Sequence, residues 1–106
     1  MERRVLTVEY DQVGSIAKAL SSPARRRILD ALVEGELSIQ ELAQKLSIPQ
    51  STCTVNVQSL ERAGLVQTRS EAGRKGARKL CSVTFDEAVI PLHKLAPTIP
   101  TDHIEI

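Results

Sequence analysis

Aromatic side chains are almost missing from this chain of 106 residues: Tyr10 and Phe85 are the only two, and there is no tryptophan. A core without large rings has to be assembled from Leu, Ile, Val and Ala, which suits a helix-rich domain. No stretch approaches the roughly 18 consecutive apolar residues that a membrane-spanning helix requires. The opening MERRVLTVEY carries two arginines but no apolar run long enough for a signal peptide. Cysteine is scarce as well. Cys53 and Cys81, without a secretion signal, are expected to be free thiols in a reducing cytoplasm. An excess of one charge is also lacking, since the formal net charge is +1.

What is present is a hydrophobic content of 42%, enough for the single small core of a one-domain chain. The charge, though balanced, is unevenly spread. Residues 1–68 carry eight Lys/Arg against eight Asp/Glu. Residues 69–79 then hold Arg69, Arg74, Lys75, Arg78 and Lys79 against Glu71, and the tail beyond is acidic. A basic knot between a neutral body and an acidic tail has the form of a polyanion footprint. A solvated basic loop is the alternative.

Helical periodicity marks four segments. The first covers residues 8–20, with Thr7 as cap and Val13, Ile16, Ala17 and Leu20 at helical spacing, although Gly14 weakens it. Ser22-Pro23 opens the second, a cap hydroxyl followed by proline at the first helical position. Its inner face is expected to be Ile28, Leu29, Leu32 and Val33, with Gly35 as its stop. Arg25, Arg26 and Arg27 must spread over about 200° of its surface, so they cannot act together. The third segment begins with a capping box, Ser38 and Glu41, ahead of Ile39, Leu42, Ala43 and Leu46, with Ile48 in the turn that follows. The fourth runs from about Pro49 to Ala63 and stops at Gly64.

In that fourth segment Cys53, Val57 and Leu60 form the buried stripe. Ser51, Thr54, Val55 and Gln58 lie opposite, flanked by Gln50, Thr52, Asn56, Ser59 and Arg62. An ordinary solvated helix favours Glu, Lys and Arg there, and helix propensity does not select Ser or Thr. Amides and hydroxyls can bond base edges and phosphates, and Val55 can touch a thymine methyl. No acid occurs between Glu41 and Glu61 to repel phosphate. A neutral polar or protein-binding face is the alternative. After Gly64, residues 65–69 and 79–85 alternate as strands do, and residues 70–78 between them read as a mobile basic loop. Two helices, a tight turn between them and a trailing hairpin make a winged helix-turn-helix: mainly α with a small β-hairpin, about four helices plus a two-stranded wing.

Over residues 13–85 the chain resembles the ArsR-type winged helix-turn-helix transcriptional regulators. The carriers are Leu20-Ser-Ser-Pro23-Ala-Arg25, Arg27-Ile28-Leu29, Gly35-Glu36, Glu41-Leu42-Ala43, Leu46, Gln50-Ser51-Thr52 and Leu60-Glu61-Arg62-Ala63-Gly64-Leu65-Val66. The resemblance implies a cytoplasmic prokaryotic repressor, usually a homodimer on a near-palindromic operator, whose recognition helix spans residues 50–63. There are departures. Residues 38–46 lack the Cys and His of the metal-sensing members, and Pro91, Pro97 and Pro100 interrupt the region of the usual C-terminal dimerisation helix. Thr54 and Asn56 replace the serine and histidine typical of the recognition helix, and Cys81 stands where a tyrosine is expected.

Function follows as an expectation. Ser51, Thr54, Val55 and Gln58 would read bases, while Gln50, Thr52 and Ser59 hold sugar and phosphate. The wing cations Arg69, Arg74, Lys75 and Arg78 would grip the flanking backbone. Residues 1–88 form the DNA-binding domain. Residues 89–106 form a proline-interrupted tail, read either as a dimer contact, together with residues 8–20, or as the start of a further effector domain. Cys53 is expected to serve the core. Cys81, near basic residues that would lower its thiol pKa, is the candidate for a redox switch. His93 and His103 lack the spacing of a zinc site, no cofactor is implied, and no nucleophile–base pair suggests an enzyme. The rival reading is a winged-helix protein-interaction module without sequence-specific DNA binding.

Overall fold

The structure, a computed structural model, describes residues 2–73 and 76–94. Its centre is the pair α3 (Ile39–Leu46) and α4 (Gln50–Arg62). Ser38 opens α3 with the expected capping box: its hydroxyl accepts from the Glu41 amide at 3.0 Å, and the Glu41 carboxylate accepts from the Ser38 amide at 2.8 Å. Ser47 closes α3 in the left-handed conformation, φ 56°, and the Ile48 amide donates back to the Ala43 carbonyl at 3.0 Å. That reversal folds Ile48 under the helix and lets Pro49 start α4 at once. Gly64, at φ +81°, ends α4 with the Leu65 amide donating to the Leu60 carbonyl.

Two earlier helices brace this pair, α1 (Val13–Leu20) and α2 (Pro23–Ala31). The Ser22 hydroxyl caps α2 ahead of Pro23, as the Ser-Pro pair indicated. The core is aliphatic: Ile28, Leu32, Leu42, Val57 and Leu60 are essentially inaccessible, as are Cys53 and Cys81. The expected inner faces of α3 and α4 are buried as read. Those of α1 and α2 are shifted. In α1 the buried pair is Ile16 and Ala19, whereas Ala17 is exposed. A 3-10 turn (Tyr10–Gln12), held by reciprocal Glu9–Gln12 bonds, precedes α1, which therefore starts at Val13 and not at residue 8. α2 ends at Ala31, so Val33 lies beyond it and is 68% exposed.

The strands hold the main corrections. β3 (Val66–Gly73) and β4 (Gly76–Val83) pair antiparallel along their whole length, from Val66 opposite Val83 to Gly73 opposite Gly76. Residues 70–73 and 76–78, expected in a long mobile loop, are therefore ladder residues, and Arg78 is a strand residue opposite Glu71. Opposite charges facing one another across an antiparallel pair favour this pairing. A two-residue strand, β2 (Leu37–Ser38), adds to the free edge of β4 and ties the wing to the start of α3. Thr7 does not cap a helix. It belongs to β1 (Val5–Thr7), which pairs in parallel with β5 (Glu87–Val89). β5 runs across residue 88, so the start of the tail is joined to the body. Among the described residues no helix follows β4.

Candidate nucleic-acid interface

α4 presents the face expected of it. Gln50, Ser51, Thr52, Val55 and Gln58 are exposed, Val55 at 59%, while Thr54 and Ser59 are partly covered at its margins. Pro49 caps the helix through its backbone alone: the Cys53 amide donates to the Pro49 carbonyl at 3.0 Å, and there is no side-chain cap. The amides of Gln50, Ser51 and Thr52 thus find no partner among the described residues, at the helix end where the macrodipole favours an anion. Not every polar group is equally available. The Thr54 hydroxyl donates to the Gln50 carbonyl at 3.0 Å, leaving its lone pairs but not its proton for a base or phosphate. Ser59 accepts weakly from Arg62 at 3.4 Å. Asn56 is drawn inward, donating to the Thr52 carbonyl and accepting from Arg25.

The wing cations are partly spent inside the protein. Arg69 grips Glu36 with two hydrogen bonds, Nε to Oε2 at 2.9 Å and Nη2 to Oε1 at 2.8 Å. This bond holds the Glu36 carboxyl below its usual range and raises Arg69. Arg78 bonds Glu71 at 3.1 and 3.2 Å. Arg74 and Lys75 lie outside the described residues, as do His103, Pro97 and Pro100. Lys79, which no ion pair engages among the described residues, stands with Arg78 beside Gln50 and Thr54 in a cleft of about 320 Å³ below the start of α4.

Sequence reasoning placed Ser59 and Arg62 on the other flank of α4 but missed what packs beside them. There Lys18, Arg25 and Arg62 converge with Ser15 and Ser59 around a second cleft of about 220 Å³. Its members come from α1, α2 and α4, so no single stretch of sequence reveals it. The three neighbouring arginines of α2 do act separately, as their angular spread required. Arg25 donates to the Ala19 and Lys18 carbonyls, Arg26 to Leu20, and Arg27 to Leu46.

The cysteines are core residues. Cys53 donates weakly to the Ile39 carbonyl and its thiol is pushed up by burial. Burial also pushes Cys81 up, to about 11, with Cys53 adding to the rise and Lys79 too weak an opponent to reverse it. The expected lowering of its pKa by basic neighbours is therefore overturned, and with it the physical basis for a reactive thiol. Among the described residues no three His, Cys, Asp or Glu side chains gather as a metal site. No described helix is long and apolar enough to cross a membrane.

Comparison with known proteins agrees with this geometry. A helix-turn-helix domain family matches residues 20–69. The chain is 32% identical over 94 residues to an HTH-type transcriptional regulator of Mycobacterium tuberculosis, covering 89% of this chain and 39% of that protein. It is 36% identical to the biofilm growth-associated repressor of Xylella fastidiosa, covering 65% of this chain and 60% of the repressor. The chain thus spans roughly two fifths to three fifths of the length of these relatives. Among solved structures, it is similar to a homodimeric winged helix-turn-helix DNA-binding domain from Mycobacterium bovis, described as a possible ArsR-family regulator, with TM-score 0.62, 34% identity, and 69% of this chain and 64% of that one covered. The crystal structure of the Xylella fastidiosa repressor BigR superposes with TM-score 0.60 and 32% identity, over 70% of this chain and 71% of that one. The chain belongs to the ArsR-type winged helix-turn-helix transcriptional regulators.

Proposed function

We propose that this chain binds double-stranded DNA in a sequence-specific manner as a cytoplasmic transcriptional repressor, that it works as a homodimer, and that it acts by binding and not by catalysis. The observation that carries this reading is the outward face of α4, thirteen residues of helix exposing hydroxyls, amides and one valine, with three unpartnered amides at its start. Ser51, Val55 and Gln58 read base edges from the centre of that face, and Thr54 contributes as an acceptor. Gln50, Thr52 and Ser59 hold the sugar–phosphate backbone. The wing adds a grip on the flanking backbone through Arg74, Lys75 and Arg78, with Arg69 available once it leaves Glu36. The homodimeric state of the Mycobacterium bovis domain supports a two-fold arrangement, in which two α4 helices enter successive major grooves about one helical turn apart.

Selection of bound duplexes from a random pool tests the reading. It should return a near-palindromic site with half-sites about 10 base pairs apart, centre to centre. Recovery of no enriched sequence would contradict it. A protein-interaction role is the second reading, favoured by the internal pairing of Arg69 and Arg78, which lowers the charge the wing offers to phosphate. Retention on heparin that falls with salt separates the two, because only the DNA reading demands it.

A further inference from the structure

We propose that the cleft formed by Lys18, Arg25 and Arg62, with Ser15 and Ser59, seats a backbone phosphate of the DNA on the side of α4 away from the wing. This inference rests on the DNA-binding reading and extends it to Lys18 and Arg25, outside α4 and the hairpin, and to Arg62 at the end of α4. Three observations carry it.

The first is charge. Arg3, Arg4, Arg69 and Arg78 each pair with a carboxylate, whereas Lys18, Arg25 and Arg62 make no ion pair among the described residues. The side chains lining their cleft include no acid. Three like charges held together without counter-charge repel one another, and an anion relieves that repulsion.

The second is construction. Arg25 is fixed by three hydrogen bonds: Nε to the Ala19 carbonyl at 2.8 Å, Nη2 to the Lys18 carbonyl at 2.9 Å, and Nη1 to Asn56 Oδ1 at 3.1 Å. It thereby covers the negative C-terminal end of α1, which would otherwise oppose an anion. A guanidinium has five N–H groups, so two remain for a ligand.

The third is position. Arg62 follows Gln58 by four residues and Val55 by seven, which places it on the base-reading stripe, and Ser59 borders that stripe. Gln50 and Thr54 border it on the opposite side, where the cleft beside Arg78 and Lys79 lies. The reading face of α4 is therefore flanked by a cationic cleft on each side. A helix lying in the major groove, about 12 Å wide, meets a rim of phosphates on each side. The wing serves one rim, and the Lys18–Arg25–Arg62 cleft serves the other.

The test uses Lys18→Ala, Arg62→Ala and the double variant. These two exposed cations can be removed without disturbing the Arg25 anchor, and thermal unfolding checks that the variants fold. Lys94→Ala, an exposed cation outside the cleft, is the control. Fluorescence anisotropy with a selected site and a random duplex is measured across a salt series. The cleft seats one phosphate, so the log–log salt slope should fall by at most about 0.9 in the double variant and by less in each single variant, with affinity for both duplexes reduced by the same factor and no change in the control. An unchanged slope in the double variant, beside salt-dependent binding by the parent, would overturn the phosphate seat and leave the DNA reading intact. An equal fall in the control would overturn its locality, and a loss confined to the selected site would make the contact one to bases. Absence of salt-dependent binding by the parent protein would overturn both this inference and the reading on which it rests.

Discussion

Arg25 and Asn56 connect the second helix to the reading helix, the guanidinium Nη1 donating to the amide oxygen at 3.1 Å. The same Asn56 amide donates to the Thr52 carbonyl one turn earlier, so its side chain is oriented at both ends. Arg25 in turn holds two carbonyls at the end of α1. Arg25 thus ties α4 to α2 directly and to the end of α1 through its other two bonds. Replacing Arg25 with Ala should cost about 3 kcal/mol and replacing Asn56 about 1.5 kcal/mol, since hydrogen bonds to charged groups contribute about 1.5–3 kcal/mol each. Urea unfolding of the single and double variants should give a coupling of about 1 kcal/mol. Simple additivity would mean that the bond contributes nothing to joining the helices.

The Glu36–Arg69 bridge predicts a gain of DNA binding from loss of an acid. Glu36→Gln removes the carboxylate hydrogen-bonded to Arg69 and leaves only the more distant Glu71, at 3.7 Å, so nonspecific affinity should rise and the log–log salt slope should steepen by up to about 0.9. An unchanged slope would place Arg69 away from the backbone. The bridge also has a pH signature. Its folded-state carboxyl lies below the ordinary value of 4.5, so its stabilisation is present above that pH and is lost as pH falls further. The Gln variant should lack that part of the acid sensitivity in a pH series of melting temperatures.

Cys81 should be inert. Its thiol, fully buried and pushed up to about 11, offers almost no thiolate near neutrality. Iodoacetamide at about pH 8, close to the intrinsic thiol value, should leave both cysteines unmodified in the folded protein and label both in urea. Rapid labelling of Cys81 in the native state would reinstate it as a switch. Because its folded pKa is raised above the ordinary 9.0, its contribution to stability is complete below that pH and declines as pH climbs towards about 11.

The capping box at Ser38 gives a test of local stability. Ser38→Ala removes an acceptor for the Glu41 amide at a site only 4% exposed, and should cost about 1 kcal/mol in urea unfolding. A neutral effect would mean that β2 pairing alone positions the start of α3.

Much of the helical unit could be read from the sequence because its signals are local. Ser38 and Glu41 are three residues apart, Cys53, Val57 and Leu60 repeat at helical spacing, and Gly64 follows α4 directly. The full length of the wing could not be read, because Ser70-Glu71-Ala72 and Ala77-Arg78 carry no apolar alternation. Their pairing depends on Glu71 facing Arg78, a fact of register. β1 and β5 are three residues each and some 80 residues apart, so neither is distinctive before the other is in place. The same limit applied to the site. The exposed face of α4 follows from periodicity, whereas the Lys18–Arg25–Arg62 cleft needs three helices to be packed first. The basic knot at 69–79 was visible as charge, but its pairing with Glu36 and Glu71 was not.

The most direct test of the account is a fluorescence-anisotropy titration of the intact protein with a duplex carrying a selected site and with a scrambled duplex of equal length, over a salt series. The account predicts tighter binding to the selected duplex. It also predicts a loss of at least about tenfold in affinity for either duplex between about 50 and about 200 mM salt, the fall that two phosphate contacts would produce. Equal affinity for the two duplexes, or no binding at the lowest salt, would contradict it.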